Sequence, residues 1–201
     1  MGLEERVYKV LIVSATAKFT STISGILPAS VYSPVRPVGD IASARRAVAD
    51  ADYDIVLINS PVQDDTGLRF AIDVTSSSGA AVLVIAAEEI RAEIEPRAAK
   101  YGIFTLSRPV SLQMMETAMR WLSAARERHR MNEKKAVSLE EKMKEIRLVN
   151  RAKWLLIEKR GMDEPAAHRY LEKLAMDRCV TKGTVAEEII NSPDTAFPEK
   201  E

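Results

Sequence analysis

The sequence predicts an α/β unit followed by an all-helical half, and three features carry that prediction. Short β-rich apolar runs alternate with amphipathic stretches through the first half. A stretch free of Gly and Pro then runs from Leu112 to Asn150, and two further amphipathic segments follow Gly161. Continuous apolar runs separated by helical periodicity are the pattern of a parallel sheet covered on both faces. The expected organisation is a (βα)5 domain over 1–125, an extended coiled-coil helix over 112–145, a three-helix bundle over 146–191 and a flexible tail over 192–201.

The elements follow in order. Val7–Val13 is a strand, and Phe19, Ile23, Ile26 and Leu27 share one face of the helix after it, which Pro28 closes. A second strand lies within Val31–Val38, where Pro34 and Pro37 remove ladder donors and so place it at a sheet edge. Ile41–Ala51 is helix, Asp54–Asn59 a buried strand, Gly67–Ser77 helix, Ala81–Ala86 strand, Ile90–Tyr101 helix and Ile103–Ser107 the last strand. Arg108-Pro109 precedes a helix starting near Ser111. Asp52 and Asp54 read as turn and strand-start residues.

Composition limits the functions available. Hydrophobic residues make up 46% and charged residues 29% of 201 residues, with a formal net charge of zero, which excludes a strongly basic chain that coats nucleic acid indiscriminately. Residues 1–110 carry 11 Lys/Arg against 13 Asp/Glu, residues 111–145 carry 8 against 6, and residues 146–190 carry 9 against 7. The lone Cys179 reads as a small buried residue and excludes an intrachain disulfide. The start MGLEER lacks signal-peptide order and no run reaches membrane-span length, so a cytoplasmic protein without membrane contact is expected. His129 and His168 have no neighbouring Cys or His at ligand spacing, so no metal and no cofactor is assigned.

VLIV, DIVLINSP followed by Asp65-Thr66-Gly67, the AVLVIAA strand and LSRP together resemble the receiver domains of two-component response regulators, over roughly residues 6–125. The resemblance implies a flavodoxin-like fold. It also implies a phosphorylation site made of an acidic pair, an acceptor aspartate, a hydroxyl residue and a lysine. The matching positions here are Ser14 and Ala15, Asn59, Ala86 and Arg108, and each departs from that pattern. Mg²⁺ needs oxygen ligands, usually carboxylates, and an amide is a poor nucleophile. With metal ligands and acceptor both gone, phosphoryl transfer has no site, and Thr105 replaces an aromatic switch residue. The expectation is a degenerate receiver with no catalytic residues. Asp64 or Asp65 as a substitute acceptor is the alternative, though both lie in the loop beyond Pro61.

Along the long helix Leu112, Met115, Met119, Leu122, Arg126, His129, Glu133 and Ala136 follow a 3-4 spacing, and the stripe restarts at Leu139, Met143, Ile146 and Asn150. The extra three-residue step at the restart would overwind a coiled coil locally. The stripe is read as a homodimer seam in which Met115, Met119, Leu122, Leu139 and Met143 are the dimerisation residues, against a helix packed on its own domains.

In the third region Ile146–Glu158 is helical, Gly161 stops it, and Asp163-Glu164-Pro165 opens a second helix with an acidic N-cap and a first-turn proline. Ala167, Tyr170, Leu171 and Leu174 form its core face, and Val185, Ala186, Ile189 and Ile190 that of a third helix. The string RAKWLLIEKRGMDEPAAHRYLEKLAMDRCVTKGTVAEEII resembles the ANTAR domain, named for the AmiR and NasR transcription antitermination regulators. Its marks are Ala152-Lys153, Leu155-Leu156, Gly161-Met162, Glu164, Ala166-Ala167, Leu171, Ala175-Met176, Val185-Ala186 and Ile189-Ile190, with Trp154 departing from a position that is often glycine.

The resemblance implies binding of paired hairpins in a nascent leader RNA, and the expected loss of phosphorylation leaves a sensor or regulatory protein as the controlling partner. Lys153, Arg169, Lys173, Arg178 and Lys182 are the candidate RNA contacts, with Arg151 and His168 behind them. A DNA-binding response regulator or a protein-interaction scaffold are the alternatives. DNA reading would need a recognition helix dense in Arg, Lys, Asn or Gln, whereas GTVAEEIIN is acidic.

Overall fold

The structure, a computed structural model, describes residues 6–191, so the tail expected over 192–201 lies outside the described residues. Five strands alternate with helices: β1 Tyr8–Val13, α1 Ala17–Ile26, β2 Tyr32–Val38, α2 Ile41–Asp50, β3 Ile55–Asn59, α3 Leu68–Ser77, β4 Ala81–Ala86, α4 Glu88–Lys100 and β5 Phe104–Ser107. The long helix α5 spans Leu112–Arg160, and α6 Glu164–Asp177 and α7 Lys182–Asn191 follow. The chain divides into two units, 1–131 and 132–201.

All strand pairs in the first unit are parallel, in the order β2-β1-β3-β4-β5. The proline-bearing β2 stands at one edge, where its missing donors cost nothing. Alternate residues of the central strands feed two cores. Leu11, Val13, Val56, Ile58, Val82 and Val84 face α2, α3 and α4, meeting Ala47, Phe70, Ala71, Val74, Ile94 and Ala98. Val10, Ile12, Ile55, Leu57, Leu83 and Ile85 face the other way, onto Ile23 and Leu27.

The second face is closed by the first turns of α5, where Met115, Ala118, Met119 and Leu122 are all buried in that same core. The expected seam is therefore corrected at Met115, Met119 and Leu122. They are core residues of their own domain, because the sheet's second face has more apolar surface than α1 alone covers. Burying a Met or Leu side chain contributes roughly 2 kcal/mol.

Polar groups continue the attachment. Asp54, buried just before β3, accepts hydrogen bonds from the Lys9 backbone N–H at 3.0 Å, Arg126 Nε at 3.1 Å and Arg130 Nη2 at 2.6 Å. Arg126 also donates to the Gly79 carbonyl at 3.0 Å. A Cβ at Gly79 would press on the ends of the Arg126 and His129 side chains, so a larger residue here would displace them from this approach. Asp54 is thus more than the strand-start residue the sequence predicts.

In the second unit Ala152 and Leu156 of α5 pack with Ala167, Leu171 and Ala175 of α6 and Val185, Ala186 and Ile189 of α7. The bundle's first member is the end of the long helix and not a separate short one. Gly161, at φ +62°, stops α5, and Asp163 caps α6 by accepting from the Ala166 N–H at 2.7 Å. Cys179, expected to be buried, is exposed with φ +51°. It turns the chain out of α6 while the Val180 N–H bonds back to the Ala175 carbonyl at 3.0 Å.

Met119→Ala should destabilise the first unit by about 2–4 kcal/mol in urea unfolding, since it opens a cavity in a closed core. Sedimentation velocity should show the association state of the wild type unchanged in this variant.

Candidate functional site

Sites in open parallel sheets gather where strands end at their carboxyl side, and there the first unit brings its substituted residues together. Ser14 ends the buried run of β1; its Oγ accepts from the Thr16 N–H at 3.1 Å and from Asn59 Nδ2 at 3.0 Å. Asn59 ends β3 and is buried, with its Oδ1 3.5 Å from Arg108 Nη1. Arg108 Nη2 donates to the Ser60 carbonyl at 2.5 Å, and the Arg108 backbone N–H donates to the Ala86 carbonyl at 2.8 Å. Ala86 is fully buried and Ala15 exposed; neither offers a side-chain ligand.

The result is a neutral hydroxyl–amide pair closed over by one guanidinium. Among the described residues no cluster of three His, Cys, Asp or Glu is arranged to hold a metal ion. Asn59 is tied by its amide, and the Ser60 hydroxyl beside it is buried with no hydrogen-bond partner among the described residues. The loop aspartates serve the turn. Asp65 accepts from the Gly67 N–H at 2.7 Å, and its backbone pairs with Val62 in an isolated bridge, while Asp64 is exposed.

Sequence reasoning missed Asp54. The signal was present in Arg126 and Arg130, which share a helix face four residues apart directly after an apolar stripe.

In the second unit the five candidate cations separate into two groups. Lys153 Nζ lies 3.0 Å from Glu164 and its side chain is only 16% exposed. Arg178 makes two bonds to Glu188, at 2.5 and 3.0 Å. Lys182 lies 3.1 Å from Glu172, which His168 Nε2 also approaches at 3.2 Å. The hydrogen bond from the Lys182 ammonium, followed by the His168 imidazole, holds the Glu172 carboxyl below its usual range. Arg169 and Lys173, one turn apart on α6, are exposed and have no carboxylate partner among the described residues. Trp154 is 70% exposed on the outer side of α5, and Met176 is 78% exposed on α6.

The ANTAR domain family model matches residues 137–190, so the match begins within the stretch read as coiled coil and takes in α6 and most of α7. The transcriptional regulatory protein PdtaR of Mycobacterium tuberculosis is 28% identical over 188 residues, covering 93% of this chain and 91% of that protein. The chain thus carries an ANTAR domain over residues 137–190 and has a receiver fold in its N-terminal unit.

Solved structures bear out that fold. The signal receiver domain of an HD domain-containing protein from Pseudomonas fluorescens Pf-5 superposes with a TM-score of 0.57 at 16% identity, covering 65% of this chain and 96% of that one. A two-component response regulator from Clostridium difficile gives 0.51 at 15% identity, covering 57% and 94%. The ANTAR family is regulatory. Among the described residues no helix is long and apolar enough to cross a membrane.

Acetyl phosphate with Mg²⁺ should leave the intact mass of the protein unchanged, since Asn59 is amidated and the metal ligands are missing. A stoichiometric phosphoryl adduct mapping to Asp64 or Asp65 would reverse this reading.

Proposed function

We propose that this ANTAR-type regulator acts in the cytoplasm as a homodimer that binds two neighbouring hairpins in a nascent leader RNA, and that a partner protein, not phosphorylation, controls it. The observation that carries the reading is the pair of uncompensated cations Arg169 and Lys173 on one exposed face of an ANTAR bundle. Phosphate neutralisation by such side chains supplies most of the salt-dependent affinity for RNA. Lys153, Arg178 and Lys182 already have carboxylate partners, so their part in phosphate binding is secondary.

Dimerisation is assigned to the part of α5 that no core of its own chain covers. From Met131 to Arg147 every residue is exposed, and Leu139, Met143 and Ile146 present apolar side chains at 4-3 spacing with Leu139 63% exposed. A second copy offering the same stripe fits this spacing, and Asn150 supplies one polar seam position. DNA reading lacks a recognition helix, since Glu187 and Glu188 occupy the exposed side of α7.

Gel shifts test the proposal. A tandem-hairpin probe should bind roughly a hundredfold more tightly than a single hairpin, because the second bundle samples its hairpin intramolecularly. Equal affinity for the two probes, or tighter binding of duplex DNA, would remove the reading. Arg169→Ala and Lys173→Ala should each weaken binding and reduce the salt slope by about one. Glu172→Gln, which frees Lys182 and removes a negative charge, should strengthen it by about threefold.

Leu139→Glu with Met143→Glu should give a monomer in sedimentation and abolish the preference for tandem hairpins while leaving single-hairpin affinity in place.

A further inference from the structure

Next to the degenerate site the first unit contains a cavity of about 340 Å³ between α1 and the junction of β5 with α5. Its apolar lining comes from Phe19, Ile23, Ile85, Val110, Leu112 and Met115. Its polar lining comes from Lys18, Arg108, Asn59, Thr16, Thr22 and Ser111. No carboxylate is among the lining residues, and neither Lys18 nor Arg108 has an acidic partner among the described residues. The charge of the cavity is therefore positive and unbalanced. A second cavity, of about 540 Å³, differs in that its lining includes both Glu116 and Arg120.

We propose that this cavity binds a small organic carboxylate with an apolar body. Concave sites combining an apolar wall with a few converging polar groups are where small ligands are held, and this volume lies within the usual range. Arg108 is oriented by its bonds to the Ser60 carbonyl and Asn59 Oδ1, which leave further guanidinium N–H donors open for a planar carboxylate. Lys18 stands in the first turn of α1, a helix with no acid in that turn and no side-chain cap from Thr16. Inorganic phosphate would satisfy the cations but leave the apolar wall wet. A neutral apolar molecule would leave the cations unpaired. The bound body would touch Met115, within the turns of α5 that close the core, so occupancy stabilises this unit by an amount that rises with the logarithm of ligand concentration once that exceeds Kd.

Titration of the full-length protein with hexanoate, followed by amide chemical shifts, tests the assignment without any RNA and so independently of the hairpin reading. Saturable shifts are expected in residues 16–23 and 110–115 at concentrations up to about 10 mM. Lys18→Gln, an exposed position, should weaken hexanoate by about fivefold, with hexan-1-ol and inorganic phosphate each weaker than hexanoate by at least about that factor. Absence of saturable shifts at these residues would overturn the proposal. So would equal binding of hexan-1-ol, equal binding of phosphate, or a Lys18→Gln protein that binds hexanoate as the wild type does.

Discussion

Burial of Met115, Ala118, Met119 and Leu122 against the second face of the sheet determines what the rest of α5 can do. Those four residues use the apolar face of the first turns on the protein's own core. Asp54 then holds the same helix further along, through Arg126 and Arg130, whose side chains are 13% and 21% exposed. A carboxylate this buried costs desolvation energy that its two guanidinium partners and the Lys9 N–H must offset, so losing either arginine would expose that cost. The apolar contacts supply the stability and the ionic contacts fix the helix's rotation about its axis. Only after this anchor does α5 leave its own domain uncovered.

The same sheet explains how a receiver fold accommodates Ser14 and Asn59 at its strand ends. An acidic pair and an acceptor aspartate crowd negative charge at the strand ends and need a cation to stay together. Ser14 and Asn59 replace that arrangement by a neutral hydrogen bond of 3.0 Å, and Arg108 reaches across to the Ser60 carbonyl. The substituted residues are mutually satisfied without a metal. The surrounding strands, which carry the fold, keep the full apolar pattern, so the fold tolerates these residues at its strand ends.

Much of this architecture was legible in the sequence because it rests on local periodicity. The five strands, the edge position of the strand with Pro34 and Pro37, the stop at Gly161 and the Asp163 cap are each written in neighbouring residues. The family resemblances rested on patterns of the same kind. What periodicity does not encode is which surface an apolar stripe meets. Met119 and Leu139 both stand on the apolar spacing of α5, on either side of its restart, yet one closes the sheet and the other is exposed. Ion pairing is equally non-local. Arg178 and Arg169 look alike in sequence, and only the folding of α7 beside α6 puts Glu188 within 2.5 Å of the former. Asp54 was misjudged for the same reason, since its partners lie more than seventy residues away.

The uncovered stretch of α5 is where fold and proposed function depend on one another. Met131 to Arg147 extends about 25 Å as helix in which every residue is exposed, although Glu145 accepts a hydrogen bond from the Gly183 N–H of α7 at 3.3 Å. Helices of this length are marginal in water unless side-chain pairs or a packed face support them. Glu140 with Lys144, Glu141 with Lys144 and Lys142 with Glu145 are favourable spacings and Glu141 with Glu145 and Lys144 with Arg147 unfavourable ones, and each such pair is worth only about 0.2–0.5 kcal/mol. The two cores at its ends stabilise the terminal turns and not the middle. In the proposed dimer, Leu139, Met143 and Ile146 would provide the missing face, making helix formation here and association one equilibrium. A partner protein able to cover that stripe would then compete with the second copy for the same residues. That competition offers a physical route to control that needs no phosphoryl group.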